Sequence, residues 1–243
     1  MHINTDPILI TGVGRRIGLY MAQEFLARGL AVIGTFRTER ASLDDLRKAG
    51  ATLIQCDFAS DAALQQLTTQ VARDHQRLRA IIHNASEWLA DSGELPAPVV
   101  MQTMMQVHVS APYQINLALA ALLQASRARH TDIIHISDYV GSRGSKKHIA
   151  YAASKAAQEN LSLSFAASLA PKVKVNSIAP SLVMFNDDDD ESYRVRARAK
   201  SLMAREAGLA EFMRTVDYLL ESEYVTGRIL ALDGGRHLRT HGS

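Results

Sequence analysis

Pro7-Ile-Leu-Ile-Thr-Gly-Val-Gly-Arg-Arg-Ile-Gly18 runs from an apolar, β-rich stretch straight into a glycine cluster, and an amphipathic helical pattern over residues 17–28 follows it. A strand, a glycine turn and a helix in that order form a junction where backbone N–H groups and the positive end of a helix dipole can meet a dinucleotide pyrophosphate. Gly12, Gly14 and Gly18 permit the tight turn and the close approach of backbone, and Arg15, Arg16 and Ile17 share the same loop. A glycine cluster alone is weak; its place directly after the first apolar run gives it weight.

Working outward, six more short apolar runs read as strands, at residues 31–36, 52–56, 79–83, 132–137, 172–178 and 228–232. Helical periodicity fills the intervals at 64–75, 99–124 and 150–169. Strands buried on both faces and separated by helices predict an α/β fold, a doubly wound sheet of seven parallel strands with helices on both sides. With 243 residues, 47% hydrophobic and 21% charged, the chain can bury roughly three quarters of its unfolded surface in one core. Neither repeat nor linker divides it, so a single domain over residues 1–243 is expected.

Lys and Arg number 27 against 25 Asp and Glu, a net charge of +2, which supplies no basic field for nucleic acid or an acidic membrane. The single cysteine, Cys56, leaves no disulfide framework. The N-terminus lacks an apolar signal core and no apolar run reaches the ~18 residues that span a bilayer, so a cytoplasmic protein is expected. The acidic run Asn186-Asp-Asp-Asp-Asp-Glu191 and the basic stretch after it read as a solvated loop entering an exposed helix, with a mobile lid as the functional alternative.

The end of the second strand decides the nucleotide. An NAD site places a carboxylate there for the ribose 2′-hydroxyl, whereas Gly34-Thr-Phe-Arg-Thr38 offers none. Arg37 with Thr38, and Arg16 from the turn, can surround a 2′-phosphate, which favours NADPH. Asp57, after the third strand, is positioned to accept from the adenine amino group or to form a turn.

In Tyr151-Ala-Ala-Ser-Lys155 a phenol and an ammonium lie four residues apart on one helical face. A nearby cation favours phenolate, so a lowered tyrosine pKa is expected, making Tyr151 a proton donor near neutral pH.

With the glycine turn, His83-Asn-Ala-Ser86, Tyr151 and Lys155, Val175-Asn-Ser-Ile-Ala-Pro180, and Val225-Thr-Gly227 with Asp233-Gly-Gly235, the chain resembles the short-chain dehydrogenase/reductase family over almost its whole length. The resemblance implies a Rossmann-type fold, with Tyr151 as catalytic acid and Lys155 lowering its pKa and bonding the nicotinamide ribose. It also implies a cofactor cleft lined by Asn84, Ala85, Ser86, Pro180, Ser181 and Leu182.

Three departures narrow the substrate. Arg16 stands where the family turn has glycine, Asp138 where a serine is expected thirteen residues before the tyrosine, and His108 where the long central helix usually carries asparagine. The first two resemble the pteridine reductase subgroup. His108 does not match a typical pteridine reductase. Thr-Gly-Val-Gly-Arg-Arg-Ile-Gly, His-Asn-Ala-Ser-Glu-Trp and Ser-Asp-Tyr-Val look most like the bacterial dihydromonapterin reductases, a group also reported to reduce dihydrofolate. That likeness implies reduction of 7,8-dihydromonapterin with NADPH.

The chemistry agrees independently. Reduction of a dihydropterin C=N bond gains from actual protonation of nitrogen, and a carboxylic acid suits that better than an alcohol. The proton is expected to pass through Tyr151, Asp138 or a water between them; a carboxylate capping the following loop is the structural alternative for Asp138. Trp88, the sole tryptophan, is placed to stack a flat heteroaromatic substrate against the nicotinamide, with a core or lid role as the alternative. Ser86 is a candidate for cofactor phosphate, for pterin, or for local capping. Residues 182–201 form the expected substrate-binding loop.

His83, His108 and His135 are dispersed without matched carboxylates and read as core or relay histidines, so no metal is expected. Met101, Met104 and Met105 read as core or subunit contact. Small residues on the 150–169 helix permit close packing, and the resemblance implies a homotetramer with the segment after Asp233 near an interface. Two other functions fit less well: an NADPH-dependent carbonyl reductase of the 3-oxoacyl type, disfavoured by Arg16, Asp138 and His108, and a non-catalytic NADPH-sensing regulator, disfavoured by the retained Tyr151 and Lys155.

Overall fold

The computed structural model describes residues 6–239; the reading of the first residues as leaderless lies largely outside them. Seven strands, β1 (Ile8–Ile10), β2 (Val32–Phe36), β3 (Thr52–Gln55), β4 (Ala80–His83), β5 (Thr131–Ile136), β6 (Val173–Pro180) and β7 (Ile229–Leu232), form one sheet in the order β3-β2-β1-β4-β5-β6-β7. Every pairing is parallel. The strand order reverses between β1 and β4, which opens a crevice at their carboxyl ends.

Strand alternation builds two cores. Ile8, Ile10 and Ile82 face the layer of α1 (Arg16–Ala27), α2 (Ala41–Lys48) and α8 (Leu209–Glu221), where Phe25, Leu46 and Phe212 are buried. Leu9, Ile81 and Ile133 face the opposite layer of α3 (Asp61–Asp74), α5 (Ala111–Gln124) and α6 (Ile149–Leu169), with Leu67, Leu119 and Phe165. A strand sandwiched between two helical layers is apolar at successive positions, which is why the central strands are plain in the sequence.

The expected helix over 99–124 is α4 (Ala97–Met105) and α5 joined by a π turn at Gln106–Ser110. The wide turn rotates the chain and leaves His108 fully buried. Within residues 182–201 the acidic run leads into the exposed helix read from the sequence: α7 (Glu191–Arg198) has its N-terminus capped by Asp190, whose carboxylate accepts from the Tyr193 amide. Among the described residues no helix is long and apolar enough to cross a membrane.

Candidate active site

A cleft of about 710 Å³ opens over the carboxyl ends of β1 and β4. Its floor is the glycine turn. Gly12 has φ +75°, and a Cβ there would come within 2.9 Å of Ala85 Cα; a Cβ on Gly18 would lie 2.1 Å from the Gly12 carbonyl oxygen. The Asn84 amide donates to the carbonyls of Thr11 and Gly12, while Thr11 Oγ1 accepts from the Asn84 and Ala85 amides, tying the loop after β4 to the turn. Arg16, in the position where the family has glycine, adopts φ +55°. Its guanidinium donates to Asn186 and to the Met184 carbonyl, fastening the segment after β6 over the turn.

The residues present fit a phosphorylated dinucleotide. The cradle is one that side chains would fill, and α1, with Arg15 at its N-cap, has neither a side-chain cap nor an acidic residue in its first turn. Arg37, Thr38 and Asp57 line the end of the cleft beyond β2, and Arg40 joins them with its side chain beside Gly14. Arg40 was absent from the sequence-predicted set; its only signal is a place three residues after Arg37. Arg37 is paired with the carboxylate of Glu87, and Asp57 accepts from the Ala59 amide as a turn former does. Pro180, Ser181 and Leu182 form the far wall, with Asn186, Asp189 and Tyr193 above them.

At the centre stand Asp138, Tyr151 and Lys155. The Tyr151 phenol donates to Asp138 Oδ2 over 3.0 Å, and Asp138 Oδ1 accepts from the Val140 amide over 2.9 Å. Asp138 therefore both caps the turn Tyr139–Gly141 and faces the tyrosine. Lys155 Nζ donates to the Ile136 carbonyl at 2.8 Å and to Gln158 Oε1 at 3.4 Å, and lies 5.6 Å from the Tyr151 ring centroid.

This geometry corrects the expected electrostatics. Tyr151 has a raised pKa rather than a lowered one, because burial and the neighbouring Asp138 carboxylate disfavour phenolate. The Lys155 ammonium is directed at the Ile136 carbonyl, and burial lowers it to about 8 against the opposing pull of Asp138 and Glu159. Burial raises Asp138. Of the two groups in the pair, the carboxyl is the stronger acid, and burial moves it up from the ordinary carboxylate range.

Trp88 is 64% exposed at the cleft mouth and stacks on His148 with ring centroids 4.1 Å apart. Ser86 lines the cleft and contacts Nε2 of His108. His83 and His135 lie outside it, in the core, linked through Asn116.

A family model described as enoyl-(acyl carrier protein) reductase matches residues 12–237. Dihydromonapterin reductase of Klebsiella pneumoniae is 54% identical over 96% of this chain and 97% of its own, and that of an Escherichia coli strain is 53% identical with the same coverage. Among solved structures, FolM alternative dihydrofolate reductase 1 from Brucella canis, complexed with NADP, has a TM-score of 0.86 at 26% identity, covering 99% of this chain and 97% of that one. The RhlG/NADP complex of Pseudomonas aeruginosa has a TM-score of 0.86 at 27% identity, covering 97% of each chain. Glycine turn, Asn84, Tyr151 and Lys155 thus meet in one crevice of a chain that belongs to the short-chain dehydrogenase/reductase family.

Proposed function

We propose that the chain is an NADPH-dependent reductase converting 7,8-dihydromonapterin to 5,6,7,8-tetrahydromonapterin, with dihydrofolate and other dihydropterins as further substrates. The observation that carries this reading is the hydrogen-bonded Asp138–Tyr151 pair in the cleft, a carboxyl where carbonyl reductases of the fold have an alcohol. The names of relatives above 50% identity support it.

NADPH, when bound, supplies the hydride that adds to C6 of the pterin. The glycine turn and the first turn of α1 would hold its pyrophosphate, and Arg37 and Arg40 would surround the 2′-phosphate, while the Arg16 guanidinium is committed to Asn186 and Met184. Asp138 in its acid form gives a proton to N5, directly or through the Tyr151 phenol, and is then reprotonated from solvent. Lys155 fixes Tyr151 electrostatically and bonds the nicotinamide ribose. Trp88 covers the open face of the pterin, and residues 182–201 bound the space for its C6 substituent.

Exposed Tyr113 and Leu117 on α5 and Leu163 on α6 offer apolar surface for subunit contact, in support of a homotetramer, and a cytoplasmic location fits the lone, buried Cys56. The deciding experiment follows NADPH absorbance on adding 7,8-dihydromonapterin or a 3-oxoacyl thioester. Oxidation with the first alone is the expected result. Oxidation with the thioester alone means a carbonyl reductase, and binding without oxidation a sensor.

A further inference from the structure

His108 has a hydrogen-bonding pattern whose polarity can be followed link by link. Ser154 Oγ lies 2.7 Å from the Tyr151 backbone carbonyl, which only accepts, so the Ser154 hydroxyl proton is committed there. Ser154 Oγ is also 2.8 Å from His108 Nδ1, and having spent its proton it can only accept; Nδ1 therefore carries hydrogen. Burial, with Lys155 nearby, holds the His108 pKa well below the ordinary histidine value, so the ring is neutral and Nε2 is bare. The Glu87 amide donating to Nε2 at 3.3 Å agrees.

Ser86 Oγ stands 2.8 Å from that bare nitrogen and must donate to it. The Glu87 carbonyl at 3.3 Å and the Tyr151 phenol oxygen are further acceptors beside it. The 2.8 Å contact to Nε2 is shorter than that to the carbonyl and takes the Ser86 proton, which then points inward. The proton of the adjacent Tyr151 phenol goes to Asp138, so the Ser86 oxygen turns unused lone pairs toward the cleft.

We propose that His108 is a positioning residue that locks the Ser86 hydroxyl as an acceptor facing the cleft, so that the site selects a substrate N–H donor at that point. This deepens the reductase reading above and rests on it for the nature of the ligand. A dihydropterin carries such donors on its ring nitrogens and amino group. The reacting end of a 3-oxoacyl thioester carries only acceptor oxygens, as does a cofactor phosphate, and both face lone pair against lone pair at Ser86. The line of hydrogen bonds ends at a backbone carbonyl, so it orients a group and carries no proton to solvent.

Two measurements test this. Nitrogen-15 NMR of His108 in the wild-type enzyme, without ligand, is expected to show Nδ1 protonated and Nε2 unprotonated; an Nε2–H tautomer overturns the proposal. In kinetics, His108→Asn shortens the side chain and frees the Ser86 hydroxyl. KM for dihydromonapterin is expected to rise about fivefold, the worth of one hydrogen bond, with kcat changed less than twofold and NADPH Kd unmoved. Ser86→Ala, a milder change in case His108→Asn folds poorly, raises KM by a similar factor, and the double variant is no worse than either single one. Additive KM effects, or equal weakening of NADPH, overturn the proposal. A wild-type enzyme that reduces no dihydropterin sinks the reductase reading instead, and the NMR measurement still judges the tautomer.

Discussion

The Tyr151 phenol donates to Asp138 Oδ2 while Oδ1 of the same carboxyl accepts from the Val140 amide, so one residue shapes the loop and faces the chemistry. Loop and reaction demands are separable by substitution. Asp138→Asn keeps an oxygen for the Val140 amide but removes the acid, and kcat for dihydropterin reduction should fall about 100-fold with NADPH affinity retained. Tyr151→Phe should lower kcat by a similar factor. Steady-state rates paired with NADPH fluorescence titration check both; an unchanged kcat in Asp138→Asn would remove the carboxyl from the mechanism.

The pH profile should carry two marks of burial. Asp138 acts as an acid only when protonated, and its pKa is raised, so kcat should hold below that pKa and decline as pH rises through it. Lys155 is lowered to about 8, and loss of its charge should steepen the decline above that pH. For stability the sign is opposite. Between about 8 and the ordinary lysine value of ~10.4 the unfolded chain binds more protons at this position than the folded one, so the Lys155 contribution to unfolding free energy rises with pH across that window. Urea midpoints near pH 8 and pH 10 should show the rise in the wild type and its loss in Lys155→Met.

Arg37 meets Glu87 at the end of the cleft where a 2′-phosphate would lie. Arg37→Asp should weaken NADPH by tenfold or more, roughly the loss of a charge-assisted hydrogen bond, and affect NADH far less. Glu87→Gln removes the carboxylate that competes with the phosphate for Arg37, and should tighten NADPH about twofold, the scale of an exposed ion pair. Dissociation constants for both nucleotides decide the matter. An unchanged preference in Arg37→Asp would end the 2′-phosphate assignment.

The strands were legible because both faces of the sheet are covered. Leu9 and Ile10 pack into different cores, so neither position tolerates a polar residue and each strand shows as a run. Helix α2 was less visible, since it buries only Leu43 and Leu46 against the body. The π turn left no trace: one extra residue in a turn does not disturb an apolar pattern already irregular at Gln106-Val-His-Val-Ser110. Identities at the site were readable from motif spacing, but the direction of the Tyr151 shift was not. It depends on how deeply the phenol is buried and on the Asp138 carboxylate beside it, and both are set by packing between elements distant in sequence.

The glycine turn offers a paired test of how closely two pieces of backbone must approach. A methyl on Gly18 would sit 2.1 Å from the Gly12 carbonyl oxygen and 2.5 Å from Asn84 Nδ2, so Gly18→Ala must push apart the turn and the loop that Asn84 fastens to it. Such overpacking costs roughly 1–3 kcal/mol, and displacing the amides that cradle pyrophosphate should weaken NADPH at least tenfold. At Gly14 the nearest atom to an added methyl is Arg40 Cδ at 3.6 Å, an ordinary contact. Gly14→Ala should therefore unfold within about 0.5 kcal/mol of the wild type. Denaturant titration and NADPH binding of the two variants side by side check this; equal behaviour would mean that the approach of Gly18 to Gly12 is not what shapes the site.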